Sequence, residues 1–151
     1  VVALSPPSTS HKWGNVSFVS TLYLCPILDR LLKKVPHRWR AEVRLGLQEA
    51  LVNAVKHGNQ LDTQKVISVR YTVRSGCHWW IIADQGKGFK APCGCPEPTA
   101  DIAIDHNAIG DCGRGLYILH QIFDEVRWDC GGRELHLCKQ VNRWFGIPRV
   151  S

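Results

Sequence analysis

Three short segments of the chain carry side chains whose types and spacing could do chemistry. In Glu49-Ala50-Leu51-Val52-Asn53 a carboxylate and an amide stand four residues apart, which on a helix is one turn apart on the same side. A carboxylate placed there can accept the proton of an attacking hydroxyl. In Asp84-Gln85-Gly86-Lys87-Gly88-Phe89, an ionised aspartate accepts hydrogen bonds and donates none, and two glycines give backbone without Cβ that turns sharply beside a ligand. In Gly113-Arg114-Gly115-Leu116, glycines open a helical pattern, and a helix N-terminus offers unpaired N–H groups to anions. Each segment alone also has an ordinary reading: a solvated helix edge, a turn after a strand, a chance Gly-x-Gly.

The elements that must position these segments follow from hydrophobic periodicity. Val16, Phe18 and Leu22 recur at even steps and predict a strand within 13–22, and Ile27, Leu28, Leu31 and Leu32 predict a short helix over 27–34 that ends at Val35-Pro36. The strongest period runs from His37 to His57, opening after Pro36 and closing at Gly58. Val43, Leu47, Ala50 and Ala54 form its buried stripe, while Glu49, Asn53 and Lys56 form a second stripe at the edge of that face, where polar groups can line a cleft. His57 is expected to make a structural hydrogen bond at the helix end.

Lys65–Val73 and Cys77–Asp84, joined by Arg74-Ser75-Gly76, read as a hairpin. Lys90–Cys112 has three prolines and little period, a lid-length segment. Leu116, Leu119, Ile122 and Phe123 give a third helix. Glu125–Asp129 and Arg133–Cys138 around Cys130-Gly131-Gly132 give a closing hairpin. The order predicts an α+β two-layer sandwich, with one mixed, mostly antiparallel sheet and three helices on a single face. Trp80 and Ile82 share the parity of Asp84 and are expected under the helices. Cys77, Trp79 and Ile81 then face the other side, where an uncovered sheet face would offer a homodimer or partner surface.

Composition narrows the class. A chain of 151 residues, 44% hydrophobic and 21% charged, is about one domain's worth of core. The expected division is a disordered leader over 1–11, a domain over 12–139 and a tail over 140–151 that either docks or frays. No run of apolar residues is long enough to span a bilayer and no secretory signal pattern opens the chain, so a cytoplasmic protein without a membrane partner is expected. Seven cysteines, an odd number, fit reduced thiols better than a disulfide framework, and Cys93, Cys95, Cys112 and His106 match no common zinc spacing. The formal charge of +6 suits nucleic acid, an acidic protein or a polyphosphate alike, but no DNA-reading motif accompanies it, and direct nucleic-acid binding is not expected.

Taken together and in this order, the segments 47–59, 84–89 and 113–119 resemble the nucleotide pocket shared by histidine kinases, type II topoisomerases, a heat-shock chaperone and anti-sigma-factor serine kinases. The resemblance spans most of 13–139 and is strongest to the anti-sigma-factor kinases, because no further domain or phosphoacceptor hairpin accompanies it. It implies an ATP pocket of the Bergerat fold, in which Asn53 gives Mg²⁺ an amide oxygen and Glu49 is the general base. Asp84 accepts from the adenine amino group beside Gly86 and Gly88, and Gly113, Arg114, Gly115 and Leu116 grip the triphosphate. It further implies that the domain sequesters a sigma factor and, with Mg-ATP, phosphorylates a serine of a small anti-anti-sigma partner of STAS type. A binding module gated by nucleotide, without kinase activity, is the alternative. Where some kinases of this family carry a basic residue before the second glycine turn, this chain has Asp111-Cys112; Arg114 then either pairs with phosphate or points to solvent.

Overall fold

A computed structural model describes residues 4–8, 10–88 and 111–141, without the side chains of 111–113. Five strands, β1 (Gly14–Val19), β2 (Val66–Arg74), β3 (Cys77–Ala83), β4 (Glu125–Asp129) and β5 (Glu134–Gln140), form one sheet in the order β1-β2-β3-β5-β4. Every pairing among them is antiparallel, so the sheet expected to be mixed and mostly antiparallel has no parallel pair among the described residues. Three helices, α1 (Cys25–Leu31), α2 (His37–Asn53) and α3 (Asp111–Ile122), complete the α+β layers.

The core forms where the sheet's inward parity meets the helices. Val69, Trp80, Ile82, Leu135 and Leu137 are all buried on one face of the sheet and pack with Leu28, Val43, Leu47 and Leu119 from the helices. The α2 stripe is buried as its period requires, from Val43 and Leu47 through Ala50 to Ala54. The β2–β3 hairpin turns through Ser75 and Gly76, both at positive φ (51° and 74°), the two-residue geometry whose twist matches the strands.

Two glycines fix how α2 and α3 lie. A Cβ on Gly46 would sit 2.5 Å from Phe123, just past the end of α3, and one on Gly115 would sit 2.9 Å from the Asn53 amide nitrogen at the end of α2. The contacts advance along α2 while they retreat along α3. The two helices are therefore antiparallel and close, which a larger residue at either glycine would prevent.

The far face of the sheet departs from expectation. Trp79 and Ile81 are only 3% and 4% exposed, so the bare aromatic surface foreseen for a homodimer is not present. On that side Thr72 donates to the Lys12 carbonyl at 2.9 Å, and the Arg70 guanidinium lies 5.8 Å from the Trp13 ring centre. Within the segment read as a leader, the His11 amide and the Trp13 indole both donate to the Ser8 carbonyl. Val141 is buried and its amide donates to Gly76; the rest of the tail lies outside the described residues, as does the lid-length segment from 89 to 110.

Candidate functional site

The end of α2 does not run on as a regular helix to His57. Directly after Asn53 it widens into a π-turn, Ala54–Gly58, closed by the Asn59 amide donating to the Ala54 carbonyl at 2.8 Å. Such wide turns cluster at functional sites because they re-aim the residues beside them. The chain then leaves through Gln60 and Leu61, both at positive φ (54° and 60°).

The widened turn brings Gly58 against the loop that follows β3. A Cβ on Gly58 would overlap the Asp84 carboxyl group, and one on Gly86 would overlap the Gly58 carbonyl. Only a side chain of hydrogen lets these two backbones meet. Gly88, at φ +89°, lies equally close to the Gly131 carbonyl, so the loop also touches the β4–β5 turn. Asn59, fully buried, ties the junction together. Its amide donates to the Ser20 hydroxyl at 2.8 Å and the Val66 carbonyl at 3.1 Å, and its oxygen accepts from the Gln85 amide at 2.7 Å. Both its donor hydrogens and its oxygen are engaged in holding the end of β1, the start of β2 and the Asp84 loop in one place.

Above this junction opens a cleft of about 630 Å³ including its mouth. Asn53, His57 and Gly58 line it from α2, and Asp84 and Gly88 from the loop after β3. Leu116 contributes from α3 and Gly132 from the β4–β5 turn. Its floor is a row across three strands, Ile82, Leu135 and Trp128, which stand opposite one another in the sheet register. An acceptor among the lining residues, an apolar floor, and the N-terminal half of a helix beside them suit a flat base that carries an anionic tail.

Burial pushes the Asp84 carboxyl above the ordinary aspartate value. The Gly86 N–H donating to its Oδ1 at 2.8 Å and the charges of Arg133 and Lys65 oppose that shift without cancelling it. The half-buried Asn53 and Glu49 lie at the edge of the same opening, and a Cβ on Gly115 would stand 3.5 Å from the Glu49 carboxylate. Arg114 is exposed, and Gly113 lies inside the first turn of α3, which begins two residues before it.

Of the site residues read from the sequence, Asn53, Asp84, Gly88 and Leu116 line one cleft, while Gly86 lies against Gly58 and Asp84, and Gly115 lies against Asn53 and Glu49. His57, expected to make a structural hydrogen bond, is exposed and lines the cleft, and its imidazole makes no hydrogen bond to a described residue. Sequence reasoning missed Asn59, whose signal was its place directly after the helix-ending glycine, and Trp128, whose signal was its register partner Leu135. Among the described residues no group of three His, Cys, Asp or Glu could hold a metal ion, and Cys25, Cys77, Cys130 and Cys138 are free thiols. The cysteine-rich stretch around 93–112 lies outside the described residues. No described helix is long and apolar enough to cross a membrane.

Comparison with known proteins agrees with this geometry. The chain is 31% identical over 111 residues to the serine-protein kinase RsbW of Bacillus licheniformis, covering 68% of this chain and 65% of that protein. It is 28% identical over 91 residues to the serine-protein kinase RsbW of Bacillus subtilis (strain 168), covering 57% of this chain and 54% of that one. The chain therefore matches less than two thirds of the length of these relatives. Residues 25–139, which include every element lining the cleft, match the family model described as a histidine kinase-like ATPase domain, and the chain belongs to that family.

Proposed function

We propose that the cleft binds Mg-ATP and that the chain is an ATP-dependent serine protein kinase of the anti-sigma type. It would phosphorylate an anti-anti-sigma partner and sequester a sigma factor. The observation that carries this reading is the close approach of Gly115 to Asn53 and Glu49 beside a cleft that Asn53 and Asp84 both line. It puts a glycine of α3, an amide and a carboxylate side by side, which supports phosphate binding there. The similarity to two serine-protein kinases supports the same reaction.

In this reading Asp84 accepts from the adenine amino group, and Ile82, Leu135 and Trp128 exclude water from the base. The first turn of α3, which carries Gly113 and Arg114, receives the phosphates on its unpaired N–H groups, and Gly115 and Leu116, one turn into the helix, complete the grip as side-chain-poor and apolar neighbours. Asn53 is half-buried at the edge of the cleft and presents one neutral oxygen, which fits Mg²⁺, an ion that takes most of its charge compensation from nucleotide phosphates and keeps several waters. When bound, the ion neutralises phosphate charge. Glu49, one turn before Asn53, takes the proton of the attacking serine hydroxyl.

The test is phosphorylation. Glu49→Ala is expected to lower transfer of labelled phosphate to a partner serine about a hundredfold or more. Nucleotide binding is retained in that variant: Mg-ATP at about a hundred times its dissociation constant still stabilises the protein by roughly 2.7 kcal/mol. Unchanged transfer in Glu49→Ala removes the assigned base. A wild-type protein that is stabilised by ATP but transfers no phosphate is a nucleotide-gated binding module instead.

A further inference from the structure

The chain's positive charge is concentrated far from the cleft. Between residues 29 and 44 stand Arg30, Lys33, Lys34, Arg38, Arg40 and Arg44 against Asp29 and Glu42, so these sixteen residues carry +4 of the formal +6. They span the end of α1, the turn through Pro36 and the first two turns of α2. Between the two helices they leave a groove of about 980 Å³ counted to its open mouth, with Leu32 and Ala41 among its walls and Lys33, His37, Arg40 and Arg44 around them.

Two of these cations are held in place by the protein itself. The Arg40 guanidinium donates to the Val35 carbonyl at 2.9 Å and to the Lys33 carbonyl at 3.4 Å, which also closes the end of α1. Arg44 is paired with Asp29 at 2.9 Å, and that carboxylate is 72% exposed. The side chains of Lys33 and His37 are exposed and make no hydrogen bond or ion pair with a described residue. A fixed guanidinium meets an incoming carboxylate with less ordering cost than a free one.

We propose that this groove docks an acidic protein segment, one that sets an apolar side chain against Leu32 and Ala41 and carboxylates against Lys33, His37 and Arg40. A nucleic acid fits less well. The Asp29 carboxylate stands on the rim where a phosphate backbone would pass, and the groove lining has no Phe, Tyr or Trp and only the small His37 ring on which a base could stack. Arg40 and Asn53 are thirteen residues apart on α2, about 20 Å at the rise of a regular helix, so partner and nucleotide would sit at opposite ends of one rod. The inference does not depend on the nucleotide reading.

The experiment titrates a fluorescein-labelled twelve-residue peptide of alternating Glu and Leu into the full chain at low salt. A single-stranded oligonucleotide of equal charge runs in parallel. Lys33→Glu/His37→Glu spares Arg40 and the fold it closes, and Lys12→Glu/Gln64→Glu makes the same change in formal charge elsewhere on the surface. Peptide affinity is expected to fall about tenfold or more in the groove variant and to stay within about twofold in the control. Equal losses in both variants, absence of peptide binding, or tighter binding of the oligonucleotide that the groove variant abolishes would each overturn the proposal. ATP-induced stabilisation, measured in the same proteins, reports on the cleft alone, so either reading can fail while the other stands.

Discussion

Asp84 is asked to be a carboxylate in a place that disfavours one. Its burial costs the charged form more than Gly86, Arg133 and Lys65 return, and the ordinary value is raised. A folded-state value above the unfolded one adds stability that is present at low pH and is lost as pH rises through the folded value. At neutral pH the ionised group therefore weighs against the fold. Asp84→Asn keeps an oxygen for the Gly86 amide, and is expected to raise the denaturation midpoint at pH 7 while removing ATP-induced stabilisation. Nucleotide binding in the wild type should also weaken as pH falls, beginning at a higher pH than for an ordinary aspartate, because a protonated carboxyl loses an acceptor site. Isothermal titration between pH 4 and 7 checks the direction, and a flat profile would show that the carboxylate does not meet the base.

At the scale of the element, the end of α2 is defined by the turn that follows it more than by its own period. Asn59 serves three elements from the interior. In Asn59→Ala the Ser20 hydroxyl, the Val66 carbonyl and the Gln85 amide each lose a partner. Leaving buried groups unpaired costs about 1–3 kcal/mol each, less where water enters, so a loss of about 3 kcal/mol in urea denaturation is expected, with ATP affinity reduced through the displaced Asp84 loop. Loss of stability without loss of affinity would separate the hub from the cleft. This is also where legibility ended. The buried stripe of α2, the inward parity of Trp80 and Ile82, and both hairpins were plain in the sequence, since period and turn residues encode them locally. The π-turn was not, because it is imposed by the meeting of Gly58 with Asp84, residues 26 positions apart in the chain. Nor was the covering of Trp79 and Ile81: parity gives a side chain's direction but not what lies beyond it. The convergence of the three glycine-bearing segments could be inferred only from their joint resemblance to a known pocket, not from any one of them.

Over the whole molecule the sheet carries a second titrating group on its helical side. His78 is buried, stacked 5.8 Å from Trp80, and faces Lys34 from the α1 end and its register partner Lys139 from β5; Lys139 itself donates to the Ile122 carbonyl and lies 3.4 Å from Glu42. Burial first, and Lys34 second, hold the histidine below its ordinary value. The folded state thus binds the proton less readily than the unfolded chain, and stability declines as pH falls through the unfolded histidine value until the folded one is passed. His78→Phe keeps a ring against Trp80 and removes the proton. It is expected to lessen the fall in denaturation midpoint between pH 7 and pH 5; an undiminished fall would assign the acid sensitivity to other groups.

The bulge after Asn53 carries one residue more than its axial rise requires, so a count along the helix at 3.6 residues per turn goes out of phase from Ala54 onward. That surplus residue lies between the amide at position 53 and the buried asparagine at position 59. A relative that kept a regular coil here would have to lose a residue before Asn59. Otherwise the next side chains would rotate by about 100°, and the hub asparagine would swing out of the interior.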